Sequence, residues 1–256
     1  MNNLVSIIMP SYKCGRFIAE SIKSVQAQTY RNWELIIVDD CSGDDTIGIV
    51  LDFQKNDDRI KIFQNSSNMG AAVSRNTALR NAEGRWIAFL DSDDLWKPEK
   101  LERQIRFMEE NGYAFSCTER DVINESSEPV GRYLTGPQKV NKWGMYRYCW
   151  VGCLTVMYDA KVVGLVQIVD LKKNNDYAIW LKVIKKCDCY LLKENLGSYR
   201  LRQGSISHDS MQKLIKSHYT LWRVGEEKSP ILSTILTIQN LFFGAVKKML
   251  YVKNLA

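Results

Sequence analysis

The chain has 256 residues, 45% of them apolar and 25% charged, a length that suits one large α/β domain or a domain with a substantial appendage. Its seven cysteines are odd in number and scattered without a Cys-x-x-Cys, which argues against a zinc site or a disulfide framework and fits a reduced, cytosolic setting. The net charge of +6 is concentrated: from Ser210 onward Lys213, Lys216, Arg223, Lys228, Lys247, Lys248 and Lys253 stand against Glu226 and Glu227, seven bases against two acids for a net +5.

Residues 4–9 are apolar over only a strand's length and lack a basic leader, so no signal peptide is expected and the catalytic part should face the cytoplasm. From there short β-branched runs alternate with longer amphipathic segments, the pattern of parallel strands joined by crossover helices. Strands are predicted at 5–9, 34–38, 60–63 and 86–90, and helices near 16–28, 45–55, 71–82 and 98–111. Pro98 suits a first helical turn and Gly84 a helix stop. After 113–117 the alternation fails, and 119–137, rich in turn formers and charge, reads as a hairpin or mobile loop. A strand at 153–158, a helix at 176–186 and a strand at 190–192 leading to Tyr199-Arg200 follow. Cys187 and Cys189 read as small apolar residues on that last strand. The expected division is 1–118 for a nucleotide-binding half, 119–209 for an acceptor-binding half of the same domain, and 210–256 for a helical tail.

In the tail, residues 231–252 carry Ser233, Thr237, Asn240, Gly244 and Lys247 at spacings of four, three, four and three. That places one narrow polar stripe on a helix whose remainder is apolar. The segment is long enough to span hydrocarbon, yet Gln239 and Asn240 at its centre argue for a helix lying in a membrane interface, with Tyr219, Trp222 and the lysines beside it. The alternatives are packing into a homodimer or onto the core.

An open parallel sheet binds its ligands beyond the carboxyl ends of its strands. The first strand runs into Pro10-Ser11-Tyr12, the second into Asp39-Asp40, and the fourth, an apolar run from Trp86, ends in Asp91-Ser92-Asp93-Asp94. Three carboxylates at the end of a buried strand demand a cation. Hard divalent ions are held by one or two carboxylates plus substrate phosphates, which suggests a metal-bound nucleotide or phosphate ester. Asp44 and Asp45 read as ordinary helix-capping acids, whereas Asp40, ahead of the helix, suits a base or ribose contact. Arg75 on the following helix suits a diphosphate contact, an ion pair with Asp91, or each in turn. Asp94, close to a helix start at Pro98, suits capping or an acceptor contact better than metal.

Taken together, residues 5–12, Gln28-Thr29-Tyr30 with Trp33-Glu34, Ile37 to Ser42, Gly70 to Asn76, and Ile87 to Asp94 resemble the successive blocks of the family 2 inverting glycosyltransferases. The resemblance implies a GT-A fold, a Rossmann-like mainly parallel sheet with helices on both faces, here with a helical membrane-associating tail. It implies a nucleotide-sugar donor, usually a UDP-sugar, and Mn2+ or Mg2+. Residue by residue it makes Asp40 the uracil contact, Pro10 and Tyr12 uridine contacts, and Arg75 a nucleotide contact. Asp91 would meet ribose or metal beside Ser92, and Asp93 the metal. Asn174-Asn175-Asp176-Tyr177 before Trp180-Leu181 resembles the acidic pair whose second member is the catalytic base, retained as Asp176, with Asn175 where an acid is common. Tyr199-Arg200 with Ser205, Ser207 and His208 resembles a segment closing over the diphosphate, and Gly152 to Asp159 a block of bacterial surface-polysaccharide transferases. Trp96, Gly152, Arg200 and His208, with Asp94, are thereby candidates for donor or acceptor contacts.

The expected reaction is inverting transfer of a hexose, glucose or galactose, from a UDP-sugar to a polyprenyl-diphosphate-linked GlcNAc or GalNAc. It would form a β-linkage during O-antigen or capsule repeat-unit synthesis, on the cytoplasmic face of the inner membrane. The rivals are a nucleotidyltransferase, for which the glycine-rich basic loop after the first strand is missing, and a non-catalytic membrane scaffold, against which Asp91, Asp93 and Asp176 speak. Nucleic-acid binding is disfavoured because the basic residues accompany an apolar helix rather than exposed aromatics.

Overall fold

The computed structural model describes residues 3–202 and 210–254. In chain order the elements are β1 (Val5–Ser11), α1 (Ile18–Gln26), β2 (Trp33–Asp39), α2 (Thr46–Asn56), β3 (Ile60–Gln64), α3 (Ala71–Arg80), β4 (Trp86–Phe89), β5 (Leu95–Trp96), α4 (Lys100–Asn111), β6 (Phe115–Ile123), β7 (Pro129–Leu134), β8 (Lys139–Val140), α5 (Lys142–Arg147), β9 (Met157–Asp159), α6 (Ala160–Val163), α7 (Asn175–Val183), β10 (Cys189–Arg200), α8 (Met211–Thr220), α9 (Pro230–Tyr251) and β11 (Val252–Asn254).

β1 and β2 are buried at every position, as their near-continuous apolar runs require of central parallel strands. β1 lies between β2 and β4, with Ile8 opposite both Ile36 and Phe89. Successive side chains of β1 enter different cores: Ile8 packs with Val38, Phe89 and Trp180, while Ile7 and Met9 pack with Ile22, Leu35 and Trp33 on the other face. The parallel register also sets Ser11 beside Asp39, and Asp39 beside Gln64, so the polar strand ends share one edge.

The sheet does not stop with the first half. It continues from β4 through antiparallel β9 to β6, β7 and β11, and β10 runs parallel to β6 while pairing antiparallel with β5 and β8. The stretch at 119–137 is a hairpin: β6 and β7 pair antiparallel, with Asn124 closing the connection through bonds to Ser127 and Glu128. β10 runs for 12 residues, far beyond the short strand expected at 190–192, because it is paired along its length. The expected strand at 153–158 instead opens with a 3-10 turn, Cys153–Thr155, and only Met157–Asp159 is extended.

The tail helix α9 departs most from expectation. Its polar stripe faces the protein, not water: Ser233, Thr237 and Asn240 are buried. The reason lies in the segment it covers. At the carboxyl end of α5 and just beyond it the carbonyls of Tyr146, Arg147 and Cys149 lack helical partners, and buried backbone groups must find one. Asn240 Nδ2 donates to the first two at 3.0 and 2.7 Å, and Lys247 Nζ to the third at 2.8 Å. Asn240 Oδ1 accepts from the buried Trp222 Nε1 at 3.0 Å. Among the described residues no helix is long and apolar enough to cross a membrane.

Replacing Asn240 with Leu strands one indole N–H and two carbonyls, each worth about 1–3 kcal/mol when buried without a partner. The expected loss in chemical-denaturant unfolding is about 3 kcal/mol. A loss below about 0.5 kcal/mol, the range of an ordinary surface change, would contradict this packing.

Candidate functional site

A cavity of about 1070 Å3 opens at the carboxyl ends of β1, β2 and β4. The first half lines it with Pro10, Tyr12, Asp40, Arg75 and Asp91 to Asp94, and the second with Tyr148, Gly152, Cys153, Asn175, Asp176 and Arg202. The predicted residues from the two halves therefore meet in one space.

Each acid beyond β4 has a different cationic or amide partner. Asp91 Oδ1 accepts from Arg75 Nη2 at 2.5 Å, and the Cys153 thiol lies 3.9 Å from the same oxygen. Arg75 is buried, and its other terminal nitrogen donates to Asn175 Oδ1, tying the end of the β4 strand to the start of α7. Burial opposes the Arg75 charge, but the neighbouring Asp91 outweighs it and holds the pKa above the ordinary guanidinium range. Asp93 Oδ2 pairs with Arg202 Nε at 2.9 Å. Burial, with the charge of Asp91 second, pushes the Asp93 carboxyl above its usual range. Asp94 is fully buried and accepts the Arg200 backbone N–H at 2.8 Å. Burial first, then Asp93 and Asp91, raises it well above the usual 3.8.

At the end of β2, Asp40 is buried and holds the loop ahead of α3. It accepts the N–H groups of Met69 at 2.8 Å and Gly70 at 2.7 Å, and the Asn65 amide at 2.7 Å. Gly70 sits at φ +89°, a conformation that glycine adopts without strain. Asp40 thus shapes the wall of the cavity, with both carboxylate oxygens bonded to that loop. Asp44, just ahead of α2, accepts from Thr46 N at 3.2 Å, whereas Asp45, which occupies the N-cap position, makes no capping side-chain bond. Tyr12 stands 41% exposed at the cavity mouth, and Ser92 is buried with its carbonyl bonded to Ser21 Oγ.

Across the cavity, Asp176 lies in the first turn of α7, where a carboxylate is favoured by the helix dipole. Asn174 before it takes a left-handed φ of 56°, turning the chain into the helix. Gly152 faces the Arg120 guanidinium so closely that a Cβ there would lie 1.9 Å from Nη1. Burial lowers the Arg120 pKa, and its Nε has no hydrogen-bond partner.

Two of the expected contacts lie elsewhere. Trp96 is buried behind the cavity, donating to Leu154 O at 2.7 Å with the Lys100 ammonium 3.9 Å from its ring. Arg200 is also buried. It donates to the Asp93 carbonyl at 2.7 Å, to Ser127 Oγ at 2.8 Å and to Glu20 at 2.9 Å, and so braces the acidic loop from behind. Ser205, Ser207 and His208 lie outside the described residues. Sequence reasoning passed over Arg202, Arg120 and Cys153. For Arg202 a signal existed in its place two residues past Arg200, a second basic residue in the segment read as closing over the diphosphate.

The acids suit a divalent cation of the magnesium or manganese kind. Among the described residues no three His, Cys, Asp or Glu side chains converge as a ready-made metal cage. Asp93 and Asp91 are nevertheless pushed together at a buried edge, with Asp93 raised by burial and by its neighbour's charge, and one or two carboxylates completed by phosphates and water are what these ions use.

Because the Asp94 pKa in the folded state lies above its unfolded value, the protonated acid favours folding below about pH 4, and that stability is lost as pH rises through the folded pKa. Asp94→Asn keeps an oxygen for the Arg200 N–H and removes the titration. Thermal unfolding should show a higher midpoint for the variant at pH 7, with the gain vanishing toward pH 4; a gain independent of pH would contradict the burial of this charge.

The Glycosyl transferase family 2 model matches residues 6–154. The chain is 41% identical over 250 residues to the UDP-Glc:α-D-GlcNAc-diphosphoundecaprenol β-1,3-glucosyltransferase WfgD of Escherichia coli, covering 96% of this chain and 94% of that one. It is 37% identical over 224 residues to WfaP of Escherichia coli, which carries the same descriptive name, covering 87% of each. Among solved structures, S. aureus TarS 1-349 in complex with UDP-GlcNAc superposes with a TM-score of 0.71 at 22% identity, over 93% of this chain and 71% of that one, a likeness of GT-A fold. Matched over more than half its length and closely related to WfgD end to end, the chain belongs to glycosyltransferase family 2.

Proposed function

We propose that the protein transfers glucose from UDP-glucose to a hydroxyl of a GlcNAc carried on a polyprenyl diphosphate, with inversion to a β-linkage, in bacterial surface-polysaccharide assembly at the cytoplasmic face of the membrane. The observation that carries the chemistry is that Asp176 lines the same cavity as Asp91 and Asp93, with Arg75 bridging Asp91 to Asn175, the residue beside Asp176. The activities for which WfgD and WfaP are named support glucose over galactose and GlcNAc over GalNAc.

The donor's uridine lies along Pro10, Tyr12 and Asp40, with its diphosphate toward Arg75 and Arg202. Asp93, with Asp91, would hold Mn2+ or Mg2+, which would supply positive charge to the departing diphosphate. Arg202 pairs with Asp93 through a partly buried contact that lines the cavity, within which the guanidinium would move onto phosphate when Asp93 takes another cation. Asp176 accepts the proton of the acceptor hydroxyl as that oxygen attacks the anomeric carbon from the face opposite the leaving group. One displacement inverts the centre and needs no covalent intermediate. A nucleotidyltransferase would need no carboxylate in the position of Asp176.

With UDP-glucose, Mn2+ and GlcNAc-diphosphate-lipid, Asp176→Asn should lower transfer by about 10²–10⁴-fold, the worth of general base catalysis, while leaving UDP affinity unchanged by calorimetry. Normal transfer by this variant would remove Asp176 as the base. Asp93→Ala should lose the metal-stimulated part of turnover; unchanged stimulation by Mn2+ would place the ion elsewhere.

A further inference from the structure

The polarity of α9 is reversed relative to a surface helix. Its polar stripe is buried against the domain, and its outward arc carries Ile231, Ile235, Ile238, Phe242 and Met249, exposed by 76, 53, 63, 64 and 76%. No charged residue interrupts the helix from Pro230 to Val246. The neighbouring α8, packed on α9, adds exposed Met211 and Ile215, and α5, which also packs on α9, exposes Trp143. An apolar surface this continuous calls for a cover.

The charge around it says which cover. Lys213 and Lys216 on α8, Lys248 on α9, Lys253 on β11 and Arg147 at the end of α5 are all exposed, and the Arg147 guanidinium lies 5.7 Å from the Phe243 ring. Of the two tail acids, Glu226 is buried and paired with Lys185 at 2.7 Å, leaving Glu227 as the exposed one. A second copy of this face would bring lysines against lysines across a two-fold axis, a like-charge arrangement that costs stability. An anionic lipid surface satisfies both features, because apolar side chains enter the acyl boundary while lysines meet the headgroups.

We infer that the outward face of α9 and the adjoining part of α8 form a docking surface for an anionic bilayer, with the helix lying in the plane of the interface. The inward stripe is committed to the domain, so the helix binds without crossing. Its grip on Tyr146, Arg147 and Cys149 carries a consequence: Tyr148, between them, lines the cavity, and the Gly244 position packs against its ring. Docking therefore sets the acceptor side of the cavity at a fixed height above the lipid. That last point rests on the lipid-linked acceptor proposed above; the docking itself does not.

The test is vesicle flotation of the full chain without substrates, using phosphatidylcholine alone and a two-to-one mixture of phosphatidylcholine and phosphatidylglycerol. Binding to the anionic vesicles should exceed binding to the neutral ones by about tenfold, and should weaken as salt rises. Ile238→Glu combined with Phe242→Glu should abolish it, and Lys248→Gln with Lys253→Gln should weaken it, while each variant keeps wild-type UDP binding and turnover on a short-chain, water-soluble GlcNAc-diphosphate. A wild-type protein that stays in solution, or a double glutamate variant that floats like wild type, overturns the inference. So does a dimer in sedimentation velocity that the glutamate pair converts to monomer without any vesicle binding. Loss of turnover on the soluble acceptor with vesicle binding intact would fault the proposed function and leave the docking surface standing.

Discussion

Three carboxylates at the end of one buried strand have to be neutralised, and the arrangement around the cavity follows from that need. Asp91 takes Arg75 from α3, Asp93 takes Arg202 from beyond β10, and Asp94 takes a backbone N–H of Arg200. The partners arrive from two distant parts of the chain, so the acidic loop pins α3, the end of β10 and, through Asn175, α7 around one space. A buried group whose charge is only partly met is a poor contributor to stability but a good receiver of a cation. Asp93, whose charge is met by Arg202 alone at the cavity edge, is therefore best understood as binding capacity held in reserve.

Much of the first half was legible because its central strands are buried on both faces. Such strands read as unbroken apolar runs, and the polar residues that end them mark the ligand edge; Ser11, Asp39 and the acids after Phe89 fall at that edge as the parallel register requires. The second half was less legible because its pairing is non-local. β10 owes its length to β6, β5 and β8, none adjacent in sequence, and a window of a few residues carries no trace of that. Trp96 and Arg200 went astray for a related reason. A motif gives spacing along the chain but not the side of the strand on which a residue falls, and both residues turn away from the cavity into hydrogen-bonded burial. Arg202, two positions on, turns toward it.

The tail was half legible. The stripe of Ser233, Thr237, Asn240, Gly244 and Lys247 was visible as a period, but a period does not say which face meets the protein. Hydrophobicity alone predicts the polar face outward. What reverses it is the unpaired backbone at the end of α5 and just beyond it, whose carbonyls only polar side chains can satisfy. The same contacts join the tail to a wall of the cavity, so the surface of the molecule and the site of its chemistry are mechanically one.

The central claim is that transfer proceeds by one displacement between the acids beyond β4 and Asp176 on the opposite wall. The direct measurement is the anomeric configuration of the new glycosidic bond, read by proton NMR on product made from the α-linked donor UDP-glucose. A purely β-linked product is the result this account predicts, and an α-linked product would contradict it, because a single displacement from the face opposite the leaving group inverts the anomeric carbon.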